Sequence, residues 1–147
     1  MSAVKHAGVD FAPLASRVAI EVAAPLADEV DRDARFPAEA FEALRAERLL
    51  SVLVPAELGG ADASVGEIAE MTRILSAACS STGLIFATHQ VQVACLVRHG
   101  RTATLRAFLA ELAERQLLLA TATTEIGVAD DIGASICALS REGGRYK

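Results

Sequence analysis

The sequence predicts a mainly α-helical domain that leads into the start of a β-domain. Three observations predict it. Apolar residues recur at helical spacing from Phe11 to about residue 116, in segments rich in Ala and Leu. The composition then changes at Thr121-Ala122-Thr123-Thr124-Glu125-Ile126-Gly127-Val128-Ala129-Asp130-Asp131, which sets hydroxyls and small residues between two architectures. Beyond it, Cys137 and Leu139 followed by Gly143-Gly144 read as strand and turn. The expected division is a helical domain over 1–116 and the beginning of a β-domain over 117–147. That β-domain is expected to be truncated, because the chain stops at Lys147 in the strand that should leave the last turn.

The totals narrow the function classes. A chain of 147 residues fits one domain, or one and part of another. It is 52% hydrophobic but only 4% aromatic, so the core is built mostly of Ala, Leu, Val and Ile. A net charge of −5 without a basic block argues against nucleic acid, whose binding needs clustered Lys and Arg. Residues 1–14 carry Lys5, His6 and Asp10 and no long apolar run, so they do not read as a secretory signal. No run of about eighteen apolar residues exists, so no membrane span is expected, and the localisation expected is cytoplasmic. Cys79, Cys95 and Cys137 are far apart in apolar settings and read as small buried residues of a reducing compartment.

In chain order, Phe11, Leu14, Val18, Val22, Leu26 and Val30 form one helical stripe, with a kink or break expected at Pro25. Pro37 suits the first position of a second helix carrying Phe41 and Leu44. Leu50 to Val54 leans towards strand, and Glu57-Leu58-Gly59-Gly60 reads as a loop with a turn. Ser64-Val65-Gly66-Glu67 is a capping box, opening a helix that should bury Val65, Ile68, Leu75 and either Met71 or Cys79. Ser80-Ser81-Thr82 can cap the next helix. Residues 83–98 are apolar on nearly every side, the pattern of a central helix, with Gly100 placed as a left-handed cap. Thr102 caps a helix bearing Leu105, Phe108, Leu109 and Leu112. Leu117 to Thr124 reads as a buried strand, Ser135 to Leu139 as the next, and Arg141-Glu142-Gly143-Gly144 as a hairpin turn.

Two places could carry chemistry. Thr121 to Asp131 could bring backbone N–H groups and Thr hydroxyls to a ligand, or could be a polar loop between helix and strand. His89 and Gln90 lie inside the apolar helix, either as core residues with internal partners or facing a cavity. Glu125, Asp130 and Asp131 cluster, but no His or fourth ligand stands at a spacing that supports a metal, and Asp131 reads better as a loop anchor. No nucleophile–base motif, P-loop or dinucleotide glycine set is present, so no catalytic residue is assigned.

Four stretches, in this order, give the chain a wider resemblance. They are Phe36-Pro37 with Leu44, then Val54-Pro55-Ala56-Glu57-Leu58-Gly59-Gly60, then Ala87-Thr88-His89 through Leu96-Val97-Arg98-His99-Gly100, and last Thr124-Glu125-Ile126-Gly127-Val128-Ala129-Asp130-Asp131. Together they resemble the N-terminal part of the acyl-CoA dehydrogenase family. The last stretch is similar to its flavin-binding signature, typically Thr-Glu-Pro-Gly-Ala-Gly-Ser-Asp.

The resemblance implies a helical bundle of the acyl-CoA dehydrogenase type packed on a β-domain, with FAD between domains. It implies α,β-dehydrogenation of an acyl-CoA thioester with hydride transfer to FAD, in fatty acid metabolism. A homo-oligomer and an electron-transfer partner go with it. It places Thr121, Thr123, Thr124, Gly127 and Asp130 at the flavin, Thr124 as a donor to the ring and Asp130 at the pyrophosphate. His89 and Gln90 fall on the helix that helps floor the acyl pocket. The family's catalytic carboxylate has no counterpart in this chain, so the chain alone is expected to be inactive and, with its apolar faces uncovered, to self-associate or be unstable.

Three residues depart from the pattern: Ile126 for proline, Ala129 for glycine and Asp130 for serine. Asp130 sets a carboxylate where a pyrophosphate would lie, and like charges about 4 Å apart repel by several kcal/mol at a surface-like dielectric. FMN lacks that phosphate, so an FMN-dependent monooxygenase of the same fold is the alternative. A non-catalytic helical interaction module is the reading outside enzymology.

Overall fold

Asp10 begins the first helix, its carboxylate accepting from the Ala12 N–H at 3.1 Å. The computed structural model describes residues 10–121, 141–143 and 145–146. Helix α1 (Phe11–Val18) runs through a π-turn (Ala19–Ala23) into α2 (Ala24–Arg32). The break expected at Pro25 is therefore a π-turn just ahead of it. Proline offers no N–H to the preceding turn, and the wider turn lets the Ala24 N–H bond to the Ala19 carbonyl instead. The buried face is Phe11, Ala15, Val18, Ala19, Ala23 and Val30, and its alanines admit neighbouring helices closely. Leu14, Val22 and Leu26 lie at its half-buried margin.

Helix α3 (Ala38–Ala46) takes Pro37 as its N-cap and buries Ala40, Phe41 and Leu44. The strand expected at Leu50 to Val54 is not formed. Leu49–Ser51 is a 3-10 turn, entered through Arg48 in the left-handed region (φ 57), and Leu49, Leu50, Ser51, Val52 and Val54 are all buried. An apolar run reports burial, and periodicity over so few residues cannot separate a strand from a buried turn. In the loop that follows, Ala56–Leu58 forms another 3-10 turn and Gly59 takes φ 88. A Cβ at Gly60 would stand 1.9 Å from the Val54 carbonyl oxygen, so only glycine fits there.

Helix α4 (Val65–Ala78) opens on the expected capping box: the Glu67 N–H donates to Ser64 Oγ at 3.2 Å, and the Ser64 N–H donates to Glu67 Oε2 at 2.7 Å. It buries Met71 and Leu75, with Cys79 behind it. Val65, expected inside, is exposed, because it lies in the first turn away from the stripe.

Helix α5 (Ser80–His99) follows directly after extended Cys79. The Ser80–Thr82 cap expected there is absent: no side chain caps this helix, and Thr82 is buried within it. Helices α4 and α5 approach closely at Ser76 and Gly83, where a Cβ on the glycine would stand 2.0 Å from Ser76 Oγ. The inner stripe of α5 is Thr82, Gly83, Phe86, His89, Gln90 and Val93. Leu84 (68% exposed), Val91 and Val97 lie outside it, so α5 is central on one side and open on the other among the described residues. Cys95 is likewise exposed, not buried as expected. Gly100 has φ −75 and is no left-handed cap; it is needed because a Cβ would stand 2.4 Å from the Leu96 carbonyl oxygen.

Helix α6 (Ala103–Arg115) is capped by Thr102 Oγ1, which accepts from the Leu105 N–H at 3.3 Å. It buries Leu109, Leu112 and Ala113. The strand expected from Leu117 to Thr124 is not seen over 117–121, which carry no strand pairing; 122–124 lie outside the described residues, as does Ser135–Leu139. The hairpin is present: β1 (Arg141–Glu142) pairs antiparallel with β2 (Arg145–Tyr146), with Gly143 at φ 56 in the turn. Among the described residues no helix is long and apolar enough to cross a membrane.

Candidate functional site

The buried turn at Leu49–Ser51 has no sheet partner, so its peptide groups must find others. Polar side chains supply them. His89 and Gln90 sit on the inner stripe of α5, 0% and 1% exposed. Gln90 Nε2 donates to the carbonyls of Leu49 (3.1 Å) and Leu50 (3.3 Å), while its Oε1 finds no partner among the described residues.

His89 uses both ring nitrogens. Nε2 lies 2.7 Å from the Leu50 carbonyl oxygen, and Nδ1 accepts the Leu119 N–H at 3.0 Å. An amide N–H can only donate, so Nδ1 is bare and the proton is on Nε2, which donates to Leu50. Burial pushes the His89 imidazole below its ordinary value, and the bond to the Leu50 carbonyl opposes that in part. The ring is neutral, held in one tautomer, and has no nitrogen left for a substrate.

The third polar group is Gln116, which sequence reasoning missed. It stands in the left-handed region (φ 51, ψ 52) at the end of α6, a conformation that costs a non-glycine residue roughly 1 kcal/mol. Its side chain offsets this cost. Oε1 accepts from the Leu50 N–H at 3.2 Å, and Nε2 donates to Ser51 Oγ (2.6 Å) and the Ala113 carbonyl (2.7 Å). From α3 and the turn after it, Arg45 Nε donates to the Gln116 carbonyl at 3.1 Å and Arg48 Nη2 to the Ala113 carbonyl at 2.8 Å. A polar residue straight after Arg115 and before an apolar run was the available signal, but φ at residue 116 cannot be read from composition.

These bonds fasten the chain leaving α6 onto the bundle. Leu117 and Leu119 pack against the cluster of Val54, Val93, Leu109, Leu112 and Ala113. Ala120 and Thr121 then emerge exposed. Of the site residues named from sequence, the structure therefore places Thr121 at the surface. His89 and Gln90 lie inside the bundle, bonded to backbone. Thr123, Thr124, Gly127 and Asp130 lie outside the described residues. A surface depression of about 490 Å³ opens beside Val30, Arg35, Phe36, Leu84 and Ile85, and neither His89 nor Gln90 lines it.

Residues 9–116 match the family described as "Acyl-CoA dehydrogenase, N-terminal domain". The chain is 32% identical over 90 residues to a 3-sulfinopropanoyl-CoA desulfinase of Paraburkholderia xenovorans (60% of this chain, 23% of the relative). It is 28% identical over 130 residues to a cyclohex-1-ene-1-carbonyl-CoA dehydrogenase of Syntrophus aciditrophicus (88% and 31%). It is 29% identical over 123 residues to a short-chain specific acyl-CoA dehydrogenase of Clostridium acetobutylicum (83% and 32%). The matched stretches thus span no more than about a third of these relatives' length. No solved structure matches the chain significantly.

Proposed function

The chain belongs to the acyl-CoA dehydrogenase family, and from that premise we propose that it is the N-terminal part of a flavoenzyme that removes hydrogen from the α and β carbons of an acyl-CoA thioester. The observation that carries this reading is one of position. The family match ends at residue 116, where Gln116 and His89 fasten the segment that leads to Thr121 and the flavin signature.

In this reading Thr121, Thr123 and Thr124 offer hydroxyls, and Gly127 a closely approaching backbone, to the flavin. FAD, when bound, supplies the hydride acceptor. The α5 helix floors the acyl site, and His89 and Gln90 serve it from behind by fixing that helix to the turn at Leu49–Ser51. The base that takes the α-proton lies outside this chain. The relatives' names share a CoA thioester, which supports that substrate class. A cytoplasmic homo-oligomer that passes its electrons to a partner protein completes the proposal.

Asp130 favours a second reading, an FMN-dependent monooxygenase, since its carboxylate opposes a pyrophosphate and FMN has none. The test is the visible absorption of the purified full-length protein and the mass of the flavin it releases. FAD supports the dehydrogenase, FMN supports the monooxygenase, and a colourless protein that takes up neither supports a helical interaction module.

A further inference from the structure

Three buried polar side chains converge on the turn at Leu49–Ser51, and they differ in how far they reach. Gln90 stops at the carbonyls of Leu49 and Leu50. Gln116 closes back onto the end of its own helix at Ala113. His89 alone of the three spans from the turn to the outgoing chain, with Leu50 on one nitrogen and Leu119 on the other. Leu119 precedes the exposed Thr121 by two residues.

We propose that His89 is a positioning residue for the flavin contact at Thr121: anchored on the Leu50 carbonyl, it accepts the Leu119 N–H and so sets the point at which the chain leaves the bundle. The proposal rests on the flavin reading above. Packing alone would be served by an apolar side chain, since the position is 0% exposed. The imidazole does more, because it is a rigid spacer between two backbones. If the proton moved to Nδ1, an N–H would face the Leu119 N–H and a lone pair would face the Leu50 carbonyl, so both bonds would fail together. One tautomer and one ring orientation are thereby fixed. Further back, Leu117 is held by its N–H to the Leu112 carbonyl at 3.2 Å; beside the packing of Leu118 and Leu119, His89 supplies the side-chain hydrogen bond to the last stretch before Thr121 among the described residues. Contacts to a ligand demand placement within about half an ångström, and a segment that is competent only part of the time weakens apparent affinity by that fraction.

Two substitutions split the bonds. Asn carries its amide oxygen near the place of Nδ1, so His89→Asn can still accept from Leu119 but cannot reach Leu50. Gln carries its amide nitrogen near the place of Nε2, so His89→Gln can still donate to Leu50 but leaves Leu119 unpaired. The experiment uses the full-length protein freed of flavin. It reads FAD affinity by titration, thermal midpoint, and hydrogen-exchange protection of the Leu119 amide, for wild type and both variants. The expected result is that His89→Gln loses Leu119 protection and binds FAD roughly fivefold to tenfold more weakly, the scale of one hydrogen bond expressed as affinity. His89→Asn should keep both within about twofold, although its midpoint falls. Affinity that falls equally in the two variants, or follows the midpoint alone, overturns the proposal and leaves the flavin reading standing. Unchanged affinity in His89→Gln despite lost Leu119 protection does the same. Wild-type protein that takes up neither FAD nor FMN overturns the flavin reading, and this proposal with it.

Discussion

His89 Nδ1 accepts the backbone N–H of Leu119 at 3.0 Å, across a sequence separation of 30 residues. That bond exists only while the ring is neutral, and the burial that keeps the ring neutral gives stability a pH dependence. In the unfolded chain this histidine takes up its proton near the ordinary 6.5; in the fold, burial holds the value lower. Between the two values the unfolded state binds more protons, so stability falls as pH drops below about 6.5. Urea unfolding at about pH 7.5 and about pH 5 should show this loss, and His89→Gln should reduce it. Equal dependence in wild type and variant would assign it to other groups.

Val93 and Leu84 lie on the same apolar helix and should respond oppositely to charge. Val93 is 0% exposed, and Val93→Asp buries an unpaired carboxylate at a cost of several kcal/mol, enough to unfold the domain. Leu84 is mostly exposed, and Leu84→Asp should stay within about 0.5 kcal/mol in this chain. Thermal melts of the two variants decide it; a Leu84→Asp chain that fails to fold would place α5 deeper than described.

Gln116→Gly sets two effects against each other. Glycine relieves the left-handed backbone, a gain of roughly 1 kcal/mol. It also leaves the buried Leu50 N–H without its acceptor and removes the donor to Ser51 Oγ, losses of about 1–3 kcal/mol each. Net destabilisation is expected in denaturant unfolding. A more stable glycine variant would mean that the side-chain bonds contribute little.

Asp130→Ser tests the placement of the flavin signature. If FAD binds in the proposed manner, removing the charge should tighten binding by about 1 kcal/mol, several-fold in affinity, and high salt should shrink the difference. FMN binding should hardly change. Titration of the full-length protein with both flavins at two salt concentrations reads this. Weaker FAD binding at both would mean that the carboxylate helps, and that it does not sit beside the pyrophosphate.

The helices were legible where local chemistry decides the outcome. The Ser64–Glu67 capping box and the Thr102 cap need only neighbours in sequence, and both formed as read. The stripe from Phe11 to Val30 was visible in its spacing, but the π-turn ahead of Pro25 was not, since a proline signals a disruption and not its form. Leu50 to Val54 read as strand because the sequence shows burial without showing what satisfies the backbone. The groups that satisfy it, Gln90 from 40 or 41 residues away and Gln116 from 66, are tertiary partners. Leu84 and Val91 read as core because an apolar helix does not say which of its faces is covered. At the candidate site, His89 and Gln90 were picked out as polar residues in an apolar helix, and the bond from His89 to Leu119 emerged only from the packing.

The central claim is that this chain belongs to an enzyme that oxidises acyl-CoA thioesters with a bound flavin. The most direct measurement is the visible spectrum of the full-length protein, without oxygen, as acyl-CoA thioesters of increasing chain length are added. The account predicts a flavin band that one of these thioesters bleaches, with the matching 2-enoyl-CoA formed. A flavin band that no saturated acyl-CoA bleaches, but that NADH or a reductase bleaches and oxygen restores, would contradict it.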